Sequence, residues 1–139
     1  MSHKLPLSLL PTPYEIVWCR FPEHESLGEP GPKPRPALVR NAALWDDGSA
    51  EVEVVYGTTN LKLDTRLYDL IISKASEMDA CGLYRATRFD LDRLVWLPWT
   101  TDWFEIMPGY SSPTIGKLTD DAIRMLQIIV SYKQRADER

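Results

Sequence analysis

The chain has 139 residues and a formal net charge of −4, with 44% hydrophobic and 26% charged residues. That length suits one domain burying roughly two thirds of its unfolded surface, and the balance excludes disordered, collagen-like and coiled-coil classes. The negative total argues against broad, non-specific phosphate binding but leaves room for a local basic cleft.

Residues 1–13 carry three prolines and read either as an extended arm that lays Leu7, Leu9 and Leu10 on a neighbouring surface or as disorder. Pro6 and Pro11 cut the apolar run too short for a signal sequence, and no run approaches the ~20 apolar residues of a membrane span. The expected setting is cytoplasmic, with no membrane partner. Tyr14 to Phe21 is β-branched and aromatic, with Ile16 and Trp18 on one side of the alternation and Val17, Cys19 and Phe21 interleaved, which predicts the first strand. Pro22 ends it. The stretch to Pro34 holds Glu23, His24, Glu25 and Glu29 among two glycines and three further prolines, a loop by composition.

Arg35 stands where this loop runs into an apolar strand over Arg35 to Ala43. Pro34 and Pro36 hold the backbone extended there, so the arginine is presented from a stiff strand mouth beside a long loop, a common setting for function. Asp46-Asp47-Gly48-Ser49 predicts a hairpin whose Asp-Gly pair suits a positive φ. Ala50 to Thr58 then returns antiparallel, Val52, Val54 and Tyr56 alternating with Glu51 and Glu53, one face buried and the other wet. Gly57 permits close approach of another backbone or a ligand and leaves Thr58, Thr59 and Asn60 as polar groups at the strand end.

Leu67 to Ile72 reads as a fourth strand, and Ser73 to Ala80 as one helical turn or a polar loop. Arg85 to Leu91 and Leu94 to Leu97 form one bent strand or two that meet near Asp92, stopped by Pro98. Trp99 to Ser112 is aromatic without periodicity, which suits a loop packed flat on a barrel or in a subunit interface. Trp96, Trp99 and Trp103 read as core or interface rather than as base-stacking platforms. Thr119 as N-cap, Asp120 and Asp121 in a first turn, and Ile123, Leu126, Ile129 and Val130 at helical spacing predict a helix over 119–135. Lys133 and Arg135 complete its dipole pattern, and Met125, Ile128 and Tyr132 broaden its apolar face. The whole reads as a single domain over 1–139, mainly β with a C-terminal α-helix covering one end of a small β-barrel.

Cys19 and Cys81 form no CxxC pair, and two histidines supply no zinc set, so the cysteines read as core residues of a reducing compartment. Gly109 and Gly116-Lys117 are separated by six residues rather than four, and Leu118 replaces the Ser or Thr of a phosphate loop. There is no GxSxG elbow and no cysteine near His24. No metal or cofactor is expected.

Three strings, Val17-Trp18-Cys19-Arg20-Phe21-Pro22, Pro34-Arg35-Pro36-Ala37-Leu38-Val39 and Val54-Val55-Tyr56-Gly57-Thr58-Thr59, carry a resemblance. In order and spacing they are similar to the opening strand, the G-x-x-R-P-A-L-V block and the P-x-T-S block of the MazF/PemK family, the ribonuclease toxins of type II toxin-antitoxin systems. Weaker echoes fall at Gly82-Leu83, near Asp92 and at Ile115-Gly116-Lys117-Leu118. The chain departs from the pattern in placing Pro34 before Arg35, with the glycine displaced to Gly31, and Tyr56-Gly57 before the threonine.

The resemblance implies an SH3-like barrel, usually a homodimer. Its implied activity is metal-independent, sequence-selective cleavage of single-stranded RNA and mRNA that inhibits growth and is neutralised by a cognate antitoxin protein. It implies Arg35 and Thr58 as the core of the cleavage site. Attack by the RNA 2′-hydroxyl builds negative charge on the phosphorus oxygens, which a guanidinium and a hydroxyl donor stabilise. The loop from Pro22 to Pro34 would close over the strand and help choose its bases. Lys33, Thr59, Asn60 and Arg88 are further candidate RNA-binding residues beside Arg35. Two groups compete as general base: His24, whose ordinary pKa is near neutrality, and Asp92, which resembles an acidic residue after the family's Gly-Leu segment. The plainer readings are a solvated His24, an Asp92 paired with Arg93 or Arg88, a surface ion pair for Arg35 and an ordinary strand threonine at Thr58. A catalytically inactive SH3-like barrel that binds a protein or peptide is the alternative, and inhibition of a topoisomerase, known for a barrel of similar shape, rests on fold analogy alone.

Overall fold

The computed structural model describes residues 2–61 and 68–138. Strands β1 (Glu15–Cys19), β2 (Arg35–Leu44), β3 (Ala50–Thr58), β4 (Asp69–Ile72), β5 (Thr87–Pro98) and β6 (Thr114–Lys117) form one antiparallel sheet in the order β4-β5-β3-β2-β1-β6. Helices α1 (Ala75–Cys81) and α2 (Asp120–Asp137) complete the chain. The predicted start of the fourth strand at Leu67 lies outside the described residues. No described helix is long and apolar enough to cross a membrane.

The expected barrel is not closed: β4 and β6 remain the edges of an open sheet. The reason lies in what bridges them. Leu70 and Ile72 of β4, Ile115 of β6, Cys81 of α1, and Ala122 and Leu126 of α2 share one apolar cluster. Helix side chains therefore join the two edges, where a barrel would use backbone hydrogen bonds.

Period-2 alternation splits the strands between two cores. On the first face lie Val17, Cys19, Ala37, Val39, Val52, Val54 and Leu97, covered by Leu5, Trp99, Trp103 and Phe104. The second face holds Ile16, Leu38, Val55 and Phe89 beneath the helices. The expectation of a wet outer face on β3 thus holds for half-exposed Glu51 and Glu53 near the hairpin, but Val55 is buried on the second face because the helices cover that end.

The N-terminal arm docks, though through Leu5: its N–H reaches the Trp99 carbonyl at 3.2 Å, and the Trp99 indole N–H donates to the Pro6 carbonyl at 3.1 Å. Leu9 and Leu10 pack at the edge of this core, while Leu7 stays exposed. The aromatic loop is core rather than interface at Trp99, Trp103 and Phe104, and Trp96 is partly exposed. The β2–β3 hairpin turns at Asp46, Asp47 and Gly48, with Gly48 at φ +85°. Asp47 accepts hydrogen bonds from the Ser49 hydroxyl (2.6 Å) and N–H (2.9 Å), which hold its carboxyl below the usual range.

Of residues 73–80, 75–80 fall in the helix α1 (Ala75–Cys81) and the two before it are extended or bent, and the two candidate pieces near Asp92 form the single strand β5. Val55 pairs with Leu94 but Tyr56 with Asp90, so Leu91, Asp92 and Arg93 bulge from the ladder. At α2, the Thr119 hydroxyl accepts the Ala122 N–H at 3.1 Å, as an N-cap should. Its inner face is Ala122 and Leu126, with Ile123, Ile129 and Val130 packed at the core's edge as expected; Met125, Ile128 and Tyr132 do not join it and are exposed.

Candidate functional site

The first face of the sheet ends in polar residues where β2 begins and β3 stops. Cys19 pairs with Arg35 and Ala37 with Tyr56; Arg35 opens β2 and Thr58 closes the neighbouring β3. The two strands approach closely because residue 57 is glycine: a Cβ there would lie 2.4 Å from the Pro36 carbonyl oxygen and 2.8 Å from the Phe89 ring. The expected close approach is therefore to the chain's own backbone.

Tyr56 is the platform of this mouth. The half-buried Arg35 places its guanidinium carbon 6.0 Å from the ring centroid, and Arg93, thrown out by the β5 bulge, stands 4.0 Å from the same centroid. Phe21 packs against Tyr56 at 5.3 Å, and Arg93 lies 5.4 Å from the Phe21 ring. Arg93 Nη2 donates to the Pro22 carbonyl at 3.1 Å, while its buried Nε has no partner among the described residues. Among those residues no carboxylate forms an ion pair with Arg35 or Arg93.

The adjoining loop is pinned at its base. The Gly31 N–H donates to the Arg20 carbonyl at 3.0 Å, and Arg20 Nη1 to the Pro32 carbonyl at 3.0 Å, while Arg20 Nε holds Glu105 at 2.7 Å. Beyond the pins, residues 23–30 are exposed, His24 among them, and Lys33 is exposed just before Arg35.

Thr58 is 8% exposed, and its Oγ1 accepts the Asn60 N–H at 3.1 Å. Its register partner Arg88 is equally buried and is committed inward, Nε to the Asn60 carbonyl (3.1 Å) and Nη1 to Asp69 Oδ2 (2.9 Å). Buried Asp90 pairs in register with both Tyr56 and Asp69. Thr59 belongs to the second face, where it lines a groove of about 290 Å³ with Trp18, Pro36, Tyr84, Thr87 and Met107. Asp92 is drawn to α2, 2.9 Å from Lys133 Nζ, which also donates to the Leu91 carbonyl at 3.1 Å. Its partner is therefore neither Arg93 nor Arg88.

The structure thus gathers Arg35, Arg93 and Phe21 around Tyr56, with Thr58 two residues further along β3. Arg88 and Asn60 form a buried network beside them, Thr59 faces the other way, His24 and Lys33 ride the loop, and Asp92 is held by the helix. Arg93 escapes a sequence reading because the bulge breaks the alternation that would assign its face. The polar pair Asp92-Arg93 between Leu91 and Leu94 is the signal of that bulge. Among the described residues no three His, Cys, Asp or Glu side chains gather as a metal site.

Fold and site together define a small open-sheet β protein whose strand mouth gathers two arginines around one tyrosine ring. No model of a known protein family matches the chain, and no curated protein matches it at a significant level.

Proposed function

We propose that this chain is an endoribonuclease toxin of the MazF/PemK kind, cleaving single-stranded RNA without a metal and restrained by a cognate antitoxin. What supports the reading is Arg35 at the start of β2 and Thr58 at the end of the neighbouring β3, at a mouth whose arginines have no carboxylate partner among the described residues, in a chain of net charge −4. The open sheet departs from an SH3-like barrel in closure while keeping antiparallel strands and a C-terminal helix.

In this reading the RNA 2′-hydroxyl oxygen bonds to the adjacent phosphorus as the bond to the 5′-oxygen breaks. The 2′-hydroxyl proton passes to a base, and a proton is delivered to the departing oxygen. Arg35 stabilises the charge that develops on the non-bridging oxygens. Thr58 already accepts the Asn60 N–H, so its hydroxyl proton is what it has to donate. His24, on the exposed loop, serves as base once the loop lies over the strand. Asp92 fits that role less well because Lys133 holds it. The reading carries a homodimer, for which exposed Met125, Ile128 and Tyr132 on α2 offer apolar surface. It also carries an antitoxin whose acidic tail competes for the arginines.

One observation favours a second reading, a non-enzymatic module that binds a protein or peptide: the exposed loop beside the mouth carries Glu23, Glu25 and Glu29, which repel a phosphate backbone. Induced expression of the wild type, Arg35→Ala and Thr58→Ala, with total RNA examined in each, separates the two. Growth arrest with RNA cleavage in the wild type alone supports the nuclease. Intact RNA from purified, folded, antitoxin-free wild type would falsify it and leave the binding module.

A further inference from the structure

We infer that Arg35 and Arg93 form a paired-guanidinium site for a phosphodiester strand, Arg93 gripping a phosphate next to the one that Arg35 holds. The inference rests on the nuclease reading for the identity of the strand. What it adds is Arg93, which no sequence motif marks, as a second phosphate-binding residue.

Both guanidinium carbons lie over one ring, at 6.0 and 4.0 Å from its centroid, and so stand no more than about 10 Å apart. Two cations held that close repel each other, the more so where Phe21, Pro22 and Tyr56 displace water. Proteins ordinarily relieve such a pair with a carboxylate. Among the described residues no carboxylate pairs with Arg35 or Arg93; Arg40, Arg85 and Arg135 also lack one, but only Arg35 and Arg93 share a single ring.

Arg93, 4.0 Å from the Tyr56 centroid and bonded to the Pro22 carbonyl, is held in place, and a positioned guanidinium suits the forked geometry of phosphate recognition. Arg93 spends one N–H on the Pro22 carbonyl, and a guanidinium carries five, so donors remain for an incoming oxygen. That same bond ties Arg93 to the first residue of the exposed loop. An anion held by Arg93 is therefore held at the base of that loop, by the same ring as Arg35.

If Arg93 were merely structural, stacking on Tyr56 and capping Pro22, it would change stability and leave ligand binding and its salt dependence untouched. The test is titration of a fluorescent single-stranded oligodeoxynucleotide, which lacks the attacking 2′-hydroxyl, into wild type, Arg93→Gln, Arg35→Gln and the charge-matched surface control Arg124→Gln. For Arg93→Gln we expect affinity to fall roughly tenfold, as for loss of a charge-assisted hydrogen bond. The slope of log K against log salt should shrink by about 0.7, with Arg124→Gln like wild type. Affinity and slope unchanged in folded Arg93→Gln overturn the inference, even if the wild type cleaves RNA. The fall in affinity and slope in a protein that cleaves nothing sustains the anion site and removes the nuclease. Should Arg93→Gln not fold, the wild-type Arg93 Nε–H resonance provides the reading: a shift on adding the oligonucleotide supports the site, and a resonance that stays put overturns it.

Discussion

Arg88 of β5 and Asp69 of β4 form an ion pair at 2.9 Å with side chains only 10% and 7% exposed. It ties the edge strand β4 to the sheet directly behind the candidate site. Removing one partner of such a pair strands a buried charge, at a cost of about 3–5 kcal/mol. Arg88→Ala should therefore lose about that much stability in urea denaturation. Where the variant is still folded, the salt slope of oligonucleotide binding should equal that of wild type; a slope reduced by about 0.7 would make Arg88 a phosphate ligand after all.

Gly57 sets how closely β2 and β3 meet at the mouth. A methyl group there collides with the Pro36 carbonyl oxygen at 2.4 Å and the Phe89 ring at 2.8 Å, and backbone on one side with a buried ring on the other cannot both give way. Overpacking of this kind costs about 1–3 kcal/mol. Gly57→Ala should lower the thermal midpoint and, in the nuclease reading, reduce cleavage more than a surface change of equal instability, because it moves Thr58 relative to Arg35.

Much of this was legible before the structure, and the failures share a cause. The alternation of Ile16 and Val17, of Leu38 and Val39, and of Val52 and Val54 marks strands by local pattern, and Thr119 with its two following aspartates marks the start of α2. The strand ends at Arg35 and Thr58 were legible because both are flanked by residues that bend or restrict the chain. What was not legible depends on partners distant in sequence. Strand β6 was missed because its short run includes Gly116 and Lys117, poor strand formers that pair only because β1 offers an edge. Trp99 reads as core or interface, but that its cover is Leu5 and Pro6 of the arm depends on residues more than ninety positions away. Arg88 reads as a free cation until β4 brings Asp69 beside it, and the bulge that sends Arg93 over Tyr56 erases the period that would have located it.

The two cysteines give a pH prediction. Burial pushes both thiols up, Cys81 to about 11 with the nearby Glu77 carboxylate adding to the effect, and Cys19 further still. Both stay neutral in the folded chain well above the ordinary value of 9.0, so neither offers the thiolate that reacts. In native protein at pH 8 a thiol reagent should find almost no cysteine, and in urea it should find both. The sign for stability follows. Below about pH 9 the thiols are protonated in both states and contribute no pH dependence. As pH rises from there towards about 11 the unfolded chain loses protons that the folded chain keeps, so stability falls. Urea midpoints that rise over that interval would contradict this account.

Thr119 joins the two helices. Its Oγ1 accepts the Ala122 N–H at 3.1 Å to cap α2, and the same hydroxyl donates to Glu77 Oε2 of α1 at 2.8 Å. Loss of the cap alone costs typically ~1 kcal/mol, and loss of the donor leaves a carboxylate beside helix α1 without its hydrogen bond. Thr119→Ala should therefore destabilise by somewhat more than a simple cap deletion, about 1–2 kcal/mol, and Thr119→Ser should restore most of it. The two roles separate in a double-mutant cycle with Glu77→Ala: a coupling of about 0.5–1.5 kcal/mol is expected if the hydroxyl bridges the helices. Additive effects of the two substitutions would mean that Thr119 acts on α2 alone and that α1 and α2 are held together only by the apolar cluster beneath them.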